Sequence, residues 1–397
     1  MRARTLLVAG GRQTPVNSMH LVDTTLFYSP TSGGVKRYLD AKHGWLRRHT
    51  SWEHTIVVPG SEDRFERGEV CTLSGFAVPG TFNYRLPLNP RRWINLLSAL
   101  QPSMIEAGDA FHPAWCALNV ARTRGIPTAA FYHSNLPQIV ARRVGGLSER
   151  LVSRYIRWVY EGFDIVFAPS RLMCAFLRDI GVPHAMLQPL GVDTSVFCPQ
   201  RRDGNLRERL GLAPDTRVLV YAGRFAGEKN LPVMLQAFAQ LGRPYHLLMI
   251  GGDQQARPAP NITLLPYRRD SRELAEWLAS ADALVHAGTK ETFGLVILEA
   301  MSCGRPVVAM HAGAIPEFVD EQVGILAPPG SASGFAEAIT ALYERDLERL
   351  GAAARERVLQ QFTWERAFHA QTHAYASLMG VLRPTRTAQE MVEVHSP

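Results

Sequence analysis

The chain alternates short apolar, β-branched runs with longer stretches of helical periodicity, and this alternation restricts the folds that are open to it. The strand-like runs are residues 19–24, 55–58, 104–106, 128–132 and 165–168 in the first half, and 217–222, 246–250, 262–265, 283–286 and 306–309 in the second. Several intervals between them have helical spacing, among them 231–241, 272–280 and 295–303. Strands that alternate with helices predict βαβ units on parallel sheets, which is an α/β fold.

The length of the chain predicts two domains. Its 397 residues exceed the size at which a single core stops growing, about 250–300 residues. The hydrophobic content of 46% and the charged content of 20% are ordinary for a globular protein. The segment 191–199, followed by the polar stretch 200–205, is the predicted hinge. We therefore place a first domain at residues 19–197 and a second at 198–365.

The start of the first domain has two interpretations. Residues 1–18 precede the first predicted strand and are expected to be a poorly ordered extension, unless translation begins at Met19. In the rival interpretation, residues 5–9 form the first strand, and the glycine pair that ends at Gly11 binds phosphate. We favour the later start, because helical periodicity follows Gly34 whereas none follows Gly11.

Cysteine usage and net charge restrict the compartment and the partners. The five cysteines are widely spaced and include no Cys-x-x-Cys pair, which indicates buried free thiols in a reducing cytosol. No apolar stretch approaches the ~18 residues that indicate a transmembrane helix. The net charge of +7 indicates an anionic partner. Because no nucleic-acid-binding motif occurs, a nucleotide diphosphate or an anionic lipid surface fits better than nucleic acid.

The segment 291–308 is the strongest indication of chemistry in the chain. Glu291 and Glu299 are separated by an apolar run, and a helix is predicted to start near Gly294. The first backbone N–H groups of a helix bind anions, and a diphosphate suits such a site. A carboxylate accepts two hydrogen bonds at once, which suits the vicinal hydroxyls of a sugar or a ribose. The segment therefore predicts a nucleotide-sugar site.

Two cations are expected to complete this site. Arg224 follows the predicted strand 217–222, and Lys229 stands five residues further on, where the next helix starts. Open α/β sheets bind ligands at the carboxyl ends of their strands, and both side chains suit phosphate oxygens. No Asp-x-Asp motif occurs, so cations and helix N-termini are expected to stabilise the diphosphate. We therefore predict that neither a metal ion nor a cofactor is required.

These motifs together resemble the retaining GT-B glycosyltransferases of family four, the glycosyl transferases group 1. The resemblance spans Met19 to Leu382 and includes, in the family's order, the segments 32–35, 131–133, 218–224 with 228–230, 291–308 and 312–317. It implies a GT-B fold, in which two Rossmann-like parallel-sheet domains face a central cleft. The first domain would bind the acceptor and the second the donor nucleotide. A helix at 366–382 would cross back to the first domain, and a polar tail would follow at 383–397.

The resemblance also implies a role for each site residue. Glu299 is expected to bind the ribose, and Glu291 the hydroxyls of the transferred sugar, while a donor phosphate oxygen accepts the proton of the acceptor. Arg224 and Lys229 are expected to bind the diphosphate, and His133 a sugar hydroxyl near the anomeric carbon. The remaining donor-binding residues are expected to be Gly33, Gly34, Gly223, Phe293, Gly294, Leu295 and Tyr267, the last either flanking the base or buried in the core.

The implied function is transfer of a sugar, with retention, from a nucleoside-diphosphate sugar to a hydroxyl of a glycan or a lipid-linked acceptor. The sequence of residues 291–296 resembles that of the mannosyl and glycolipid-forming members of the family, which favours GDP-mannose over UDP-sugars. Two alternatives remain open. One is a GT-B hydrolase or epimerase, for which His133 and Asp109 are the candidate acids or bases. The other is a non-catalytic nucleotide-sugar-binding subunit, which the presence of both glutamates and both cations disfavours.

The excess of basic residues indicates where in the cell the protein is located. Two helical stretches combine cations with interfacial aromatics and suit an anionic membrane, although a solvated basic face fits equally well. They contain Lys36, Arg37, Lys42, Arg47, Arg48 and Trp45 in the first, and Arg150, Leu151, Arg154, Tyr155, Arg157 and Trp158 in the second. We therefore expect a cytoplasmic protein that associates peripherally with the inner face of a membrane.

Overall fold

The structure, a computed structural model, describes residues 19–28, 33–78, 84–87, 89–135, 146–252 and 259–380. Several sequence predictions lie outside these residues. They are the extension at 1–18 with its rival first strand, Ser32 of the proposed phosphate loop, and the tail at 383–397.

The first domain is built on a seven-stranded parallel sheet with the order β3-β2-β1-β6-β7-β8-β9. Its strands in chain order are β1 (His20–Thr24), β2 (Glu53–Gly60), β3 (Val70–Ser74), the antiparallel pair β4 (Phe76–Ala77) and β5 (Arg85–Leu86), β6 (Met104–Ala107), β7 (Thr128–Phe131), β8 (Ile165–Ala168) and β9 (Ala185–Leu187). The central strands β1, β6, β7 and β8 are buried along their whole length, as expected for parallel strands covered on both faces.

Within the described residues, five helices cover the first sheet, and local capping signals fix where several of them start. They are α1 (Gly34–His49), α2 (Pro90–Ala99), α3 (His112–Arg124), α4 (Gly146–Tyr160) and α5 (Arg171–Asp179). Asn89 accepts a hydrogen bond from the backbone N–H of Arg91 at the start of α2, and Pro90 is the first helical residue. Ser170 caps α5 in the same way.

The second domain is built on a six-stranded parallel sheet with the order β12-β11-β10-β13-β14-β15. The strands are β10 (Arg217–Ala222), β11 (Tyr245–Ile250), β12 (Ile262–Leu265), β13 (Ala283–His286), β14 (Val307–Met310) and β15 (Gly324–Ala327). The helices are α6 (Leu206–Arg209), α7 (Leu231–Leu241), α8 (Ser271–Ser280), α9 (Leu295–Ser302), α10 (Ala332–Leu342), α11 (Leu347–Gln361) and α12 (Trp364–Leu378). The predicted architecture of two parallel-sheet α/β domains is confirmed.

Both sheets reverse their strand order at an equivalent place. In the first sheet β1 lies between β2 and β6, and in the second β10 lies between β11 and β13. Ligands of open α/β sheets bind at such a switch point, outside the carboxyl ends of the strands. The loops after β1 and β6 therefore face those after β10 and β13, across the space between the domains.

The last helix, α12, packs on the first domain through a buried network of charged and polar groups. Lys42 of α1, which is 1% exposed, donates to Asp23 of β1 at 2.9 Å and to Glu106 of β6 at 3.0 Å. It also donates to the hydroxyl of Tyr375 on α12 at 2.8 Å, and Gln371 of α12 donates to Glu106 at 3.2 Å. Two buried carboxylates and one ammonium thus join the first sheet, α1 and α12.

This burial contradicts the prediction that α1 presents a basic membrane face. Lys42 and Trp45 lie in the interior, and Arg37 forms an ion pair with the second domain. Lys36 forms an ion pair within α1, and Arg47 forms one with Glu69. The sequence pattern was misleading because the partners of Arg37 and Lys42 come from distant parts of the chain.

We predict that Lys42→Met destabilises the protein by about 3–5 kcal/mol, because it leaves Asp23 and Glu106 buried without their cation. The control Lys36→Met removes an exposed ion pair on the same helix and should cost about 0.5 kcal/mol or less. Denaturant-induced unfolding measures both. Equal destabilisation by the two substitutions would show that the network contributes nothing particular to stability.

Candidate active site

A cavity of about 540 Å³ lies between the two domains at the carboxyl ends of the sheets. The structure brings every predicted site residue to its wall. From the first domain these are Gly33, Gly34 and His133, and from the second Gly223, Arg224, Lys229, Tyr267, Glu291, Phe293, Gly294, Leu295 and Glu299. Segments that are far apart in sequence therefore converge on one cleft.

Glu291 lies in the loop after β13 and is held between two nitrogen donors. Its Oε1 accepts hydrogen bonds from Lys229 Nζ and, at 2.9 Å, from Nε2 of His286, the last residue of β13. Burial alone would raise the pKa of Glu291, but the charge of Lys229 and the bond from His286 outweigh it. The pKa of Glu291 therefore lies well below its usual range, and the carboxylate is ionised at neutral pH.

Glu299 lies on α9 and contacts the opposite domain. The helix begins at Leu295, after Gly294 with a φ of +96°, a conformation that favours glycine. Glu299 is 3% exposed, and its Oε1 accepts a hydrogen bond from Nη1 of Arg37 on α1. Its Oε2 is buried and has no partner among the described residues. Buried acceptors are rarely left unsatisfied, so this oxygen marks a place for a ligand hydroxyl.

His133 follows β7 and lies on the first-domain side of the cleft. Its ring stacks on Phe131 with centroids 4.1 Å apart and meets Tyr38 edge-on at 5.0 Å. Burial, with the nearby charge of Lys42, lowers the pKa of His133 to about 3, so the imidazole is neutral at pH 7. Its Nε2 has no partner within the described part of the chain, and its backbone oxygen accepts a bond from Thr292. The ring can therefore hydrogen-bond a neutral group.

The N-termini of two helices open into the cleft from opposite domains. Gly33 and Gly34 precede and begin α1, and Leu295 begins α9. The two approach closely, because a Cβ on Gly34 would lie 3.3 Å from Cδ1 of Leu295. Backbone N–H groups from both helices and the cations of Arg224 and Lys229 line this part of the cleft, where Lys229 is paired with Glu291 and Arg224 with Glu228. It suits a diphosphate.

Tyr267 and Asp109 settle two points that the sequence left open. Tyr267 is 37% exposed and lines the cleft, so it is not a core aromatic. Asp109 is buried, and its carboxylate accepts bonds from the N–H groups of Leu26 and Phe111 and from the hydroxyl of Thr25. Because its oxygens brace two loops, Asp109 is unsuited to act as a base for hydrolysis or epimerisation.

A second contact between the domains lies beside the cleft. Glu317, in the turn after β14, accepts hydrogen bonds from the backbone N–H groups of Arg171 at 2.8 Å and Leu172 at 2.9 Å. These are the first N–H groups of α5, where a carboxylate also interacts favourably with the helix dipole. The two domains therefore meet at the Arg37–Glu299 ion pair, which joins α1 to α9, and also at Glu317, which contacts the start of α5.

Sequence reasoning missed two side chains that hydrogen-bond the site glutamates, Arg37 to Glu299 and His286 to Glu291. Arg37 was noted only as part of a basic helix, although it lies one turn into the helix that follows Gly33 and Gly34. That position could have identified it, since such a side chain faces the opposite domain. His286 ends β13, and its place at the carboxyl end of a strand was an available signal.

The comparisons with known proteins agree with this geometry. Residues 216–345 match the family described as Glycosyl transferases group 1, and residues 32–196 match Glycosyltransferase Family 4. A GDP-mannose-dependent alpha-mannosyltransferase of Mycolicibacterium smegmatis is 30% identical over 352 residues, which cover 85% of this chain and 92% of the relative. The chain therefore belongs to the glycosyl transferases group 1 and is a glycosyltransferase.

Two further similarities extend over most of the chain. A GDP-mannose-dependent alpha-(1-6)-phosphatidylinositol dimannoside mannosyltransferase of Mycobacterium tuberculosis is 28% identical over 372 residues, covering 88% of this chain and 94% of the relative. The structure of a sucrose-phosphate synthase from Thermosynechococcus elongatus superposes with a TM-score of 0.76 at 22% identity, covering 92% of this chain and all of that one. This likeness supports the GT-B fold.

The described residues contain neither a candidate membrane-spanning helix nor a candidate metal-binding cluster. None of the helices there is both long and apolar enough to cross a bilayer. In the same part of the chain, no group of three or more His, Cys, Asp or Glu side chains is placed to hold a metal ion. The five cysteines are free, and all but Cys198 are buried.

Proposed function

We propose that this enzyme transfers a mannosyl group from GDP-mannose to a hydroxyl of a glycan or a lipid-linked acceptor, with retention and without a metal ion. A UDP-sugar is the second candidate for the donor. The observation that most supports the proposal is the buried, unpartnered Oε2 of Glu299 in a cleft lined by cations and by two helix N-termini. The names of the two relatives supply the sugar and the nucleotide.

The donor would lie mainly against the second domain. The ribose hydroxyls would donate to Oε2 of Glu299, whose other oxygen stays paired with Arg37. The diphosphate would lie between the N-termini of α1 and α9, within reach of Arg224 and Lys229. The half-exposed ring of Tyr267 would form one wall for the base.

The reaction breaks the bond between the anomeric carbon and the diphosphate oxygen and forms one to the acceptor oxygen. Arg224 and Lys229 would stabilise the negative charge that develops on the leaving diphosphate. Glu291, ionised and paired with Lys229, would bind hydroxyls of the sugar, and a donor phosphate oxygen would take the acceptor proton. Neutral His133 would hydrogen-bond a sugar hydroxyl.

The proposal of retention rests on the chemistry of the donor. Mannose is α-linked in GDP-mannose, and both relatives are named for an alpha product. Transfer from the same donor by the same route would therefore keep the anomeric configuration. The proposal of metal independence rests on the cations and helix N-termini of the cleft, which would take over the charge stabilisation that a metal ion supplies elsewhere.

The outer face of α4 supports a docking site for an anionic membrane. Leu151 is 66% exposed and Trp158 is 65% exposed, and exposed Arg150, Arg154 and Arg157 accompany them on this helix. The inner face of the same helix reaches the cleft, which Ile156 and Tyr160 line. A helix that lies on the lipid surface with its apolar side chains inserted would bring the cleft close to a lipid-linked acceptor.

We predict that Glu299→Gln weakens GDP binding about 10- to 100-fold, because it replaces charge-assisted hydrogen bonds to the ribose with neutral ones. Isothermal titration with GDP, GDP-mannose, UDP and UDP-glucose measures the effect and identifies the base. The control Glu337→Gln changes an exposed glutamate that does not line the cavity and should leave affinity unchanged. Wild-type protein that binds none of these nucleotides, or a Glu299→Gln variant that binds as wild type does, contradicts the donor site.

For the membrane site, we predict that Arg150→Glu/Arg154→Glu weakens binding to phosphatidylglycerol vesicles at least about tenfold, since each basic residue near an anionic surface contributes about 1 kcal/mol. The matched control is Arg47→Glu/Arg48→Glu on α1, which makes the same change in net charge at exposed positions. Cosedimentation measures binding. Equal losses in both variants, or equal binding of wild type to neutral phosphatidylcholine vesicles, would count against α4 as the docking element.

A further inference from the structure

Three aromatic side chains form one wall of the cleft on the first-domain side. They are Phe27 in the loop after β1, Tyr84 before β5, and Phe111 in the loop after β6. The ring of Phe27 meets Tyr84 with centroids 5.4 Å apart and Phe111 with centroids 5.8 Å apart, both edge to face. All three are partly exposed, so their rings face the cavity and are not absorbed into the core. We call these three residues the aromatic wall.

The aromatic wall is held in place by a buried carboxylate. Asp109 accepts bonds from Leu26 N at 2.6 Å and from Phe111 N at 2.9 Å, so it links the loops that bear the two phenylalanines. Thr25, which donates to Asp109 at 2.8 Å, also accepts from Phe27 N at 3.0 Å. An aromatic surface that faces water inside a cleft is unfavourable in free energy until a ligand covers it. Because this surface is already rigid, less conformational entropy is lost when a ligand binds.

The position of the aromatic wall separates it from the donor groups. Glu291, Glu299 and Tyr267 belong to the second domain, whereas the wall belongs to the first and lines the same cavity from the opposite side. Tyr84 of the wall and Arg224 line the same cavity, and burial raises the pKa of Tyr84 while the charge of Arg224 opposes that rise. A group on the wall would therefore share the cavity with the cations that the proposed function assigns to the diphosphate.

The chemistry of the aromatic wall identifies the kind of group that it binds. The faces of aromatic rings carry partial negative charge and attract the C–H groups of an apolar ring face. A pyranose or cyclitol ring presents such a face, with its hydroxyls at the rim. A polar residue for those hydroxyls lines the same cavity, namely the exposed Ser134.

We propose that the aromatic wall is the subsite for a polyhydroxylated ring of the acceptor, a pyranose or a cyclitol, which packs its apolar face on Phe27 and Phe111. This inference rests on the proposed glycosyl transfer and specifies the class of acceptor. The ring comes either from a soluble glycan or from a lipid head group, since both present the same chemistry to the wall.

Saturation-transfer NMR on the enzyme with bound GDP tests the subsite, with aromatic protons irradiated. The soluble probes are methyl α-mannopyranoside and myo-inositol. Turnover of phosphatidylinositol in vesicles, with GDP-mannose as the donor, tests the lipid source. We expect transfer to the ring C–H protons, and a loss of acceptor affinity of about tenfold in Phe27→Leu/Phe111→Leu with GDP affinity unchanged. Leucine preserves bulk, so the double variant keeps the loops packed. Phe76→Leu, an exposed aromatic outside the cavity, is the matched control.

The outcomes separate the subsite from the donor site. Turnover of the vesicle lipid alone, with the same loss in the double variant, assigns the ring to a lipid head group. Enzyme that binds GDP but gives neither transfer nor turnover with any probe overturns the subsite and leaves the donor site intact. Equal acceptor affinity in wild type and the double variant overturns it as well. Failure to bind either GDP or UDP removes the proposed function and the subsite together.

Discussion

The buried ammonium of Lys42 is the interaction on which the arrangement of the two domains depends. It donates hydrogen bonds to both Asp23 and Glu106 and places a single positive charge beside these two carboxyl groups, which are buried in the interior of the first sheet. Through Tyr375 it also fixes α12, the helix that follows the whole second domain in sequence. Because α1 carries Lys42, the same contact sets the position of Gly33, Gly34 and Arg37 at the cleft. One buried charge thus connects the folding of the first domain with the geometry of the site.

The two sheets divide the chemistry of the cleft between them. The second sheet brings the carboxylates and the diphosphate cations to its switch point, and the first brings a neutral histidine and aromatic rings to its own. The ion pair of Arg37 with Glu299 and the capping of α5 by Glu317 join these halves. In the proposed function, donor binding at Glu299 would therefore occur at a contact between domains, where it would influence how the cleft closes.

The sequence predicted the central strands of each sheet and the edge strand β12, but it did not predict the edge strands β3, β9 and β15. Strands β10, β11, β13 and β14 are buried on both faces and appear in the sequence as continuous apolar runs. The edge strands β3 and β9 are short and partly exposed, and no such run marks them. Likewise β15, at the other edge, is only half buried.

For the site as well, the sequence predicted the residues that lie on local motifs and did not predict their distant partners. Glu291, Glu299, Arg224 and Lys229 lie on motifs that are local in sequence, so spacing alone placed them at one sheet edge. The partners of Lys42 and of Glu299 are not local, since Arg37 and Glu299 are 262 residues apart. Neither the burial of Lys42 nor the pairing of Arg37 is encoded in a short pattern, and only the packed domains reveal them.

A crystal structure of the enzyme with GDP bound tests the central claim most directly. The account predicts that the ribose hydroxyls lie within about 2.5–3.2 Å of Glu299, with the diphosphate between the N-termini of α1 and α9 beside Arg224 and Lys229. A nucleotide whose ribose lies away from Glu299, with Oε2 of that residue still unpartnered, would contradict it.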